Sequence, residues 1–250
     1  MSEIVEHPEY NRDTNPYPSF GKKYNGELAV ISLTSWKARI NTVSKTLYSL
    51  LTQCKNFHIV LVLSEEEFPK MCEELPENLM LFVENEMIEL MFVYKNYKSF
   101  KKVLPTMDKY RDVPVISADD GQIYTENFAE KLYRKWYSYP SCICSKTHFK
   151  YSNIDFGVGC RGIIYPPNCF GDLNYKILLP DFIIKTNHDD AYIGCLAKKF
   201  NIKWVFLDGL NVRKNNFLVL ADAERYGLTV NKKFKNNVIP LFIRFLNIIY

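Results

Sequence analysis

The sequence predicts a single α/β domain in which helices flank an open, mixed, Rossmann-like sheet. Short apolar runs rich in β-branched residues alternate along the chain with segments whose apolar residues recur at helical spacing. The 250 residues are 47% hydrophobic, which is enough to fill one large core. Because the chain contains neither an internal repeat nor a low-complexity linker, one domain is favoured over two independent ones.

A β-α-β unit opens the domain. Residues 28–33 predict a buried strand, residues 40–53 predict a helix with its apolar residues on one face, and residues 57–63 predict a second strand. The two strands should be parallel and joined by a right-handed crossover. The alternation then continues with a strand over 90–94, a helical segment over 98–110 that is interrupted near Pro105, a strand over 115–117, a helix over 125–137 and a strand over 163–165.

Both ends of the chain differ from this pattern. Residues 1–26 form a polar extension that lacks the apolar region of a signal peptide. Residues 211–250 form a tail, and in its last part, residues 231–250, large apolar residues accompany basic ones at Lys232, Lys233, Lys235 and Arg244. This combination suits peripheral contact with a membrane, and a terminal helix docked on the core or at an oligomer interface explains it equally well.

The charge and the cysteines limit the classes of partner and compartment. The net charge of +4, from 32 basic and 28 acidic residues, would help to bind an anionic ligand or lipid surface but does not predict binding of nucleic acid. The 7 cysteines lack the paired spacing of a zinc site, which favours reduced thiols in a reducing compartment. The reduced thiols, with no signal-peptide region at the N-terminus, predict a cytoplasmic location. No apolar run reaches the roughly 20 residues of a membrane-spanning helix.

Two acidic pairs are the candidate centres of chemistry. Asp119 and Asp120 directly follow the predicted buried strand over 115–117, and Asp189 and Asp190 begin an apolar segment about 70 residues later. In an open α/β sheet, ligands bind at the carboxyl ends of the strands. Two separate carboxylate centres therefore suggest metal or diphosphate binding at one of them and base chemistry at the other.

Several segments, in order along the chain, carry a resemblance to a known family; among them are VISLTSWKARINTVSKTLYSLLTQ, KNYKSFKKVLP, VISADDGQIYTENFAEKLY and HDDAYIGCLAKKFNIK. They resemble GT-A fold glycosyltransferases, specifically the bacterial glycosyltransferase-2-like group that acts on surface polysaccharides. The resemblance extends over residues 28–208. It implies a GT-A-like domain over residues 27–210, with a nucleotide-sugar half over 27–125 and an acceptor half over 126–210. The implied reaction is inverting transfer of a hexose or N-acetylhexosamine from a UDP-sugar to a cell-surface glycan or lipid-linked glycan, at the inner face of the membrane.

The same resemblance implies a divalent cation, Mn²⁺ or Mg²⁺, that neutralises the donor diphosphate. The candidate ligands are Asp119, Asp120 and His188. The family's DDD triplet aligns with Asp119-Asp120-Gly121, so a glycine stands where the family has the acid that usually binds the metal. Either Asp120 takes over that role through a local shift of the backbone, or metal binding is weak or lost.

The second acidic pair resembles the EDVY-G segment of inverting GT-A enzymes. By that resemblance Asp190 is the catalytic base, and Asp189 is its neighbour near the donor or the acceptor. A like charge nearby would raise the pKa of the base toward the working pH. The alternative is that an acidic pair at a helix start interacts only with the helix dipole.

The remaining candidates surround these acids. Together with Asp119 and Asp120, two groups of residues are expected to bind the donor. The first group consists of hydroxyl and basic side chains at strand ends: Ser32, Thr34, Ser35, Arg39 and Ser64. The second group is Lys101 and Lys102, which match the family's K-S-x-K-K segment. An ordinary solvated charge run explains the two lysines equally well. Glycines that permit close backbone approach, with one arginine, are expected on the acceptor side: Gly157, Gly159, Arg161 and Gly162.

Two other functions compete with glycosyl transfer. Gly121 favours a catalytically weak or inactive homologue that binds nucleotide or glycan. A nucleotidyltransferase also has acids at strand ends, but it normally carries a glycine-rich phosphate loop. The loop over residues 32–39 contains no glycine, which counts against that class.

Overall fold

The structure is a computed structural model that describes residues 16–52, 56–125, 127–172, 174–207, 217–219 and 232–249, with the backbone alone for 217–219 and 232–237. Within these ranges the strands are β1 Ser19–Gly21, β2 Ala29–Thr34, β3 Phe57–Ser64, β4 Glu89–Val93, β5 Val115–Ser117, β6 Gln122–Tyr124, β7 Ile143–Ser145, β8 Phe149–Tyr151, β9 Ile154–Phe156, β10 Ile163–Tyr165, β11 Trp204–Phe206 and β12 Phe217–Val219. The α-helices are α1 Val43–Leu51, α2 Glu77–Glu84, α3 Leu104–Lys109, α4 Phe128–Tyr137, α5 Tyr175–Leu178, α6 Asp181–Ile184, α7 Asp189–Lys199 and α8 Lys232–Ile249.

An eight-stranded mixed sheet forms the centre of the fold, in the order β1-β4-β3-β2-β5-β10-β7-β11. Strands β4, β3, β2 and β5 are mutually parallel, whereas β10 runs antiparallel to both β5 and β7. Two short antiparallel pairs, β6 with β12 and β8 with β9, lie outside this sheet. The predicted fold class, an open mixed sheet flanked by helices, is therefore confirmed.

Apolar side chains cover both faces of the central strands. Along β2, Val30 belongs to one core cluster, and Ala29, Ile31 and Leu33 belong to the other. Successive side chains of a strand point to opposite faces of the sheet, so β2 is buried on both sides. This two-sided burial explains why the strand appears in the sequence as a continuous apolar run rather than as an alternating one.

The helical segment predicted over residues 98–110 is divided in two. A 3-10 turn covers Lys98–Lys102, and α3 begins at Leu104 with Pro105 in its first turn. Proline lacks the N–H that a helix interior requires, but the first turn has no use for that donor. The predicted interruption near Pro105 is confirmed, and the 3-10 turn packs against β2 and β3.

The two ends of the chain both join the fold. Ser19–Gly21, from the predicted polar extension, pair antiparallel with β4 as an edge strand. Helix α8 of the tail packs against α7 and the core through Val238, Ile239, Phe242 and Leu246, all of which are buried. The docked alternative for the tail is thus present in the structure, while the side chains of Lys232, Lys233 and Lys235 lie outside the described residues. Among the helices that the structure describes, none is long and apolar enough to cross a membrane.

A buried polar network lies at the amino ends of β3 and β4. The Glu89 carboxylate accepts hydrogen bonds from His58 Nε2 at 2.7 Å, from Lys109 Nζ at 2.5 Å and from the Tyr110 hydroxyl. Burial alone would raise the pKa of Glu89, but the hydrogen bond from His58 and the charge of Lys109 outweigh it and lower the pKa to about 2. The network connects two strands of the sheet to the end of α3.

Candidate functional site

The predicted acids from both halves of the domain meet at the carboxyl ends of the parallel strands. Asp119 follows β5, and Asp189 and Asp190 form the start of α7. Lys102, the last residue of the 3-10 turn before α3, lies between them. Gly159, in a second 3-10 turn before β10, contacts the same group. The folded chain therefore brings Asp119 of the first acidic pair next to both acids of the second pair, which the sequence separates by about 70 residues.

Lys102 is the centre of this group. Its Nζ is 2.9 Å from Oδ1 of Asp119 and 3.1 Å from Oδ2 of Asp189, and its side chain is 6% exposed. Burial alone would lower the pKa of Lys102, but the surrounding carboxylates outweigh it and raise the pKa well above its usual range. The site therefore contains an ammonium group that stays charged although it is buried.

Asp190 has the environment of a proton acceptor. The main-chain N–H of Gly159 donates to both of its carboxylate oxygens, at 3.1 Å each. Burial, followed by the charge of Asp189, raises the pKa of Asp190 to about 7, although Lys102 opposes the shift. A base with this pKa is substantially deprotonated at neutral pH and basic enough to accept a hydroxyl proton. Part of the residue is exposed to solvent.

Asp119 connects the group to solvent. Its side chain is 36% exposed, and its main-chain N–H donates to the Tyr124 hydroxyl at 2.8 Å. That hydroxyl in turn donates to the main-chain oxygen of Cys160 at 3.1 Å. Tyr124 thus ties the loop after β5 to the turn that carries Gly159, which holds the exposed carboxylate of Asp119 at the edge of the site.

Asp120 points away from this group. Oδ1 lies 2.8 Å from the Arg39 guanidinium, Oδ2 accepts a hydrogen bond from the Ser35 hydroxyl at 2.6 Å, and the side chain is 1% exposed. Burial raises the pKa of Asp120 to about 6, against the opposing effects of Arg39 and Ser35. The three residues were each predicted to bind the donor, and the structure pairs them with one another.

The residues present do not fit the divalent cation that the resemblance implies. Of its candidate ligands, Asp120 has both oxygens engaged, and Asp119 is paired with Lys102, whose positive charge would repel a metal ion. Hard cations such as Mg²⁺ and Mn²⁺ need several oxygen ligands at short range. Over the part of the chain that the structure describes, no three His, Cys, Asp or Glu side chains are grouped so that they could hold a metal, and the buried His188 completes no such set.

Two predicted donor residues of β2 have different surroundings. Thr34, at the strand end, is half-buried and donates to the main-chain oxygen of Val62 at 2.7 Å. Ser32 lies two residues earlier, where its hydroxyl pairs with that of Thr106 at 2.7 Å. Both hydroxyl-bearing residues of that pair are fully buried. Ser32 is therefore a core residue and not part of the ligand-binding edge that the sequence predicted.

Ser64 and Lys101 belong to a separate polar cluster at the ends of β3 and β4. Lys101 Nζ is 2.5 Å from Oε2 of Glu67 and 2.9 Å from Oδ1 of Asn96, and the Ser64 hydroxyl donates to the same Glu67 oxygen at 3.1 Å. Burial lowers the pKa of Lys101, against the opposing charge of Glu67. Of the two candidate lysines, Lys102 is the one that contacts the acidic pairs.

Within the described residues, Gly159 is the one predicted acceptor-side glycine that contacts the acidic group. A Cβ added there would lie 2.7 Å from Lys102 Nζ and 2.9 Å from Asp190 Oδ1. A side chain at this position would therefore force the end of the Lys102 or the Asp190 side chain to shift.

The other acceptor-side candidates have structural surroundings. Gly157 packs on β7, where an added Cβ would lie 2.2 Å from the Ser145 hydroxyl oxygen. Gly162 has φ +95°, which favours glycine, and faces the side chains of Phe128 and Leu132. Arg161 ends the second 3-10 turn and is half-buried.

Sequence reasoning did not identify Tyr124 or Thr46 as site residues. Tyr124 lies within a segment that carries the resemblance, and its fixed spacing from Asp119 was the available signal. The Thr46 hydroxyl donates to the main-chain oxygen of Asp120 at 2.9 Å, because α1 packs beside β6. No local pattern distinguishes Thr46 from an ordinary residue on the buried face of a helix.

Comparison with known proteins gives a weak likeness. No protein-family model matches the chain, and no curated protein matches it. The glycosyltransferase GlyE of Streptococcus pneumoniae TIGR4 is similar in structure, with a TM-score of 0.46 and 13% identity over 74% of this chain and 46% of that one. The apo form of GlyE gives a TM-score of 0.37 and 13% identity over 87% of this chain and 44% of that one. The chain thus spans less than half the length of these structures, and at TM-scores below 0.5 the likeness identifies neither fold family nor activity.

Proposed function

We propose that this protein is an inverting glycosyltransferase of the GT-A type that transfers a hexose or N-acetylhexosamine from a UDP-sugar to a glycan or lipid-linked glycan. The observation that supports it is the convergence of Asp119, Asp189 and Asp190 around Lys102 at the carboxyl ends of parallel strands. Ligands bind at this edge in open α/β sheets. A carboxylate with a pKa near neutrality, beside a fixed positive charge, suits proton removal coupled to departure of an anion.

In the proposed reaction Asp190 is the general base. Its carboxylate takes the proton of the acceptor hydroxyl while the hydroxyl oxygen forms a bond to the anomeric carbon of the donor sugar. On the opposite side of that carbon, the bond to the diphosphate oxygen breaks, and its electron pair leaves with the nucleoside diphosphate. Attack opposite the leaving group inverts the anomeric configuration.

Lys102 is the cation that the proposal assigns to the leaving group. Negative charge develops on the diphosphate as the bond breaks, and a preorganised positive charge stabilises it. The contacts of Lys102 with Asp119 and Asp189 hold the ammonium in position before the donor arrives. The nucleotide would lie across the strand ends near Thr34, Arg39 and the exposed Asp119.

Calorimetric titration with UDP, GDP and CMP tests whether the protein binds a nucleotide. The proposal expects UDP to bind, and it would be rejected if none of the three nucleotides bound. Turnover of UDP-sugars tests whether the protein transfers the sugar. Asp190→Asn retains size and hydrogen bonding but removes the proton acceptor, so transfer should fall by roughly 10² to 10⁴-fold while UDP affinity is unchanged. Near-normal transfer by this variant, or a product that retains the donor configuration, would remove Asp190 from the role.

A second candidate function, a homologue that binds nucleotide or glycan with little or no turnover, is favoured by the pairing of Asp120 with Arg39 and Ser35. Nucleotide binding without measurable transfer to any glycan acceptor would support it. We also propose a cytoplasmic location, in line with the free thiols of Cys142, Cys144 and Cys195.

A further inference from the structure

Helix α8 carries an apolar surface wider than the area that the core covers. Its buried side chains are Val238, Ile239, Phe242 and Leu246. Leu241 and Ile248, seven positions apart and therefore on one side of the helix, are 39% and 82% exposed. The apolar face of α8 thus continues past its contact with the core and onto the surface of the protein.

A second helix extends this surface. The ring of Phe182 in α6 packs edge-to-face on Phe245 of α8, with centroids 5.3 Å apart. Phe182 is 45% exposed, and Phe245 lies between Leu241 and Ile248 on the helix surface. We call Phe182, Leu241, Phe245 and Ile248 the apolar strip. Large apolar side chains that are exposed together usually mark a contact site.

Positive charge borders the apolar strip. Arg244 is exposed and follows Leu241 by three positions, so it lies next to the strip along the helix. The exposed Lys185 follows Phe182 by three positions. Lys199 Nζ, 3.4 Å from Oδ1 of Asn247, lies farther around α8, about 100° from Ile248. The one acid of α6, Asp181, is paired with Lys95 at 2.5 Å.

We propose that the apolar strip and its basic border bind the surface of an anionic lipid bilayer, with α8 lying in the plane of the interface. Exposed apolar side chains would enter the acyl boundary, and Arg244 and Lys185 would meet the anionic headgroups. The buried face of α8 would stay on the core, so the helix lies on the membrane and does not cross it. A second protein copy fits less well, because the same basic border on both copies would repel.

Co-sedimentation of the full chain with vesicles tests this inference independently of any enzymatic activity. With vesicles of equal parts phosphatidylglycerol and phosphatidylcholine the protein should sediment, and it should be released at high salt because headgroup attraction is screened. With phosphatidylcholine alone, binding should be at least about tenfold weaker, since each basic residue contributes about 1 kcal/mol at an anionic surface. Equal binding to both vesicle types, or none to either, would overturn the proposal.

The double variant Leu241→Gln, Ile248→Gln tests the strip itself. It should weaken partition into the anionic vesicles about tenfold or more, because two apolar side chains no longer enter the membrane. Leu81→Gln is the matched control, since Leu81 is 52% exposed on α2 and should leave binding unchanged. Two results would show that the apolar strip does not bind the membrane. One is an equal loss of vesicle binding in the double variant and in Leu81→Gln. The other is a native protein that is dimeric in solution and a double variant that is monomeric. Circular dichroism confirms that each variant is folded.

Discussion

The main-chain N–H of Gly159 donates to both carboxylate oxygens of Asp190, at 3.1 Å each. The approach is so close that a Cβ at this position would lie 2.9 Å from Asp190 Oδ1 and 2.7 Å from Lys102 Nζ, so an added side chain would displace one or both groups. The turn before β10 therefore fixes the orientation of the proposed base against the start of α7.

Gly159→Ala should consequently reduce sugar transfer by about 10-fold to 100-fold, because misplacement of a reacting group by about 1 Å can cost that much. UDP affinity, measured by calorimetry, should change far less. The control is Gly171→Ala, where an added Cβ meets nothing within 4 Å; φ at Gly171 is +64°, so this control carries a backbone strain that Gly159→Ala does not. A Gly159→Ala protein that transfers sugar at the native rate would show that Asp190 does not need this contact.

The proposed base should give the transfer rate a pH dependence. Burial and the charge of Asp189 raise the pKa of Asp190 to about 7, and a base acts when deprotonated, so the rate should rise as the pH increases through 7. In Asp189→Asn the neighbouring charge is removed, the pKa of Asp190 falls, and the rising limb should shift to lower pH. Profiles of kcat from pH 5 to 9 measure this, and coincident limbs for the two proteins would contradict it.

Lys102 should compete with cations for the acids around it. In Lys102→Met a side chain of similar length replaces the ammonium, and the carboxylates of Asp119 and Asp189 lose their partner. We expect Mn²⁺ to bind this variant about tenfold or more tightly than the native protein, as measured by electron paramagnetic resonance. Lys101→Met is the control, because Lys101 is also buried but pairs with Glu67 in the neighbouring cluster. Identical Mn²⁺ affinity in native and Lys102→Met proteins, both folded, would contradict this role of Lys102.

The Glu89 network should stabilise the fold above about pH 4.5. His58 and Lys109 outweigh burial and lower the pKa of Glu89 from its ordinary 4.5 to about 2, so the folded state favours the charged form. This stabilisation is complete above the unfolded pKa and is lost as the pH falls toward the folded one. It corresponds to roughly 3 kcal/mol. Urea unfolding between pH 6 and 2 should show that the free energy of unfolding depends less on pH in Glu89→Gln than in the native protein. The control is Glu130→Gln, which removes an exposed ion pair with Arg134 and should follow the native curve.

Docking of α8 should contribute to the stability of the whole chain. The Phe242 side chain is fully buried and packs on the ring of Tyr192, with centroids 5.0 Å apart. Phe242→Ala should therefore lower the free energy of unfolding by about 3 to 5 kcal/mol. Ile248→Ala, at an exposed position of the same helix, should change it by less than about 0.5 kcal/mol. Equal denaturation midpoints for Phe242→Ala and native protein would show that α8 folds apart from the core.

Local patterns were sufficient for much of the fold. The strands over 57–63, 115–117 and 163–165 were predictable because short β-branched apolar runs have few other uses. The split of the segment over 98–110 followed from the covalent chemistry of Pro105. The edge strand Ser19–Gly21 was not predictable, because three residues of mixed polarity become a strand only when β4 offers hydrogen-bond partners.

The sequence by itself determined which residue types stand at the strand ends, and hence that carboxylates would follow the carboxyl end of β5. Only the tertiary structure decided what each carboxylate does. Asp119 and Asp120 are chemically identical and adjacent, yet Asp119 meets Lys102 at the open edge, whereas Asp120 is buried against Arg39. The physical reason is that pairing energy depends on the distance to groups from other segments. Those distances exist only after the sheet, the 3-10 turns and α7 have packed together.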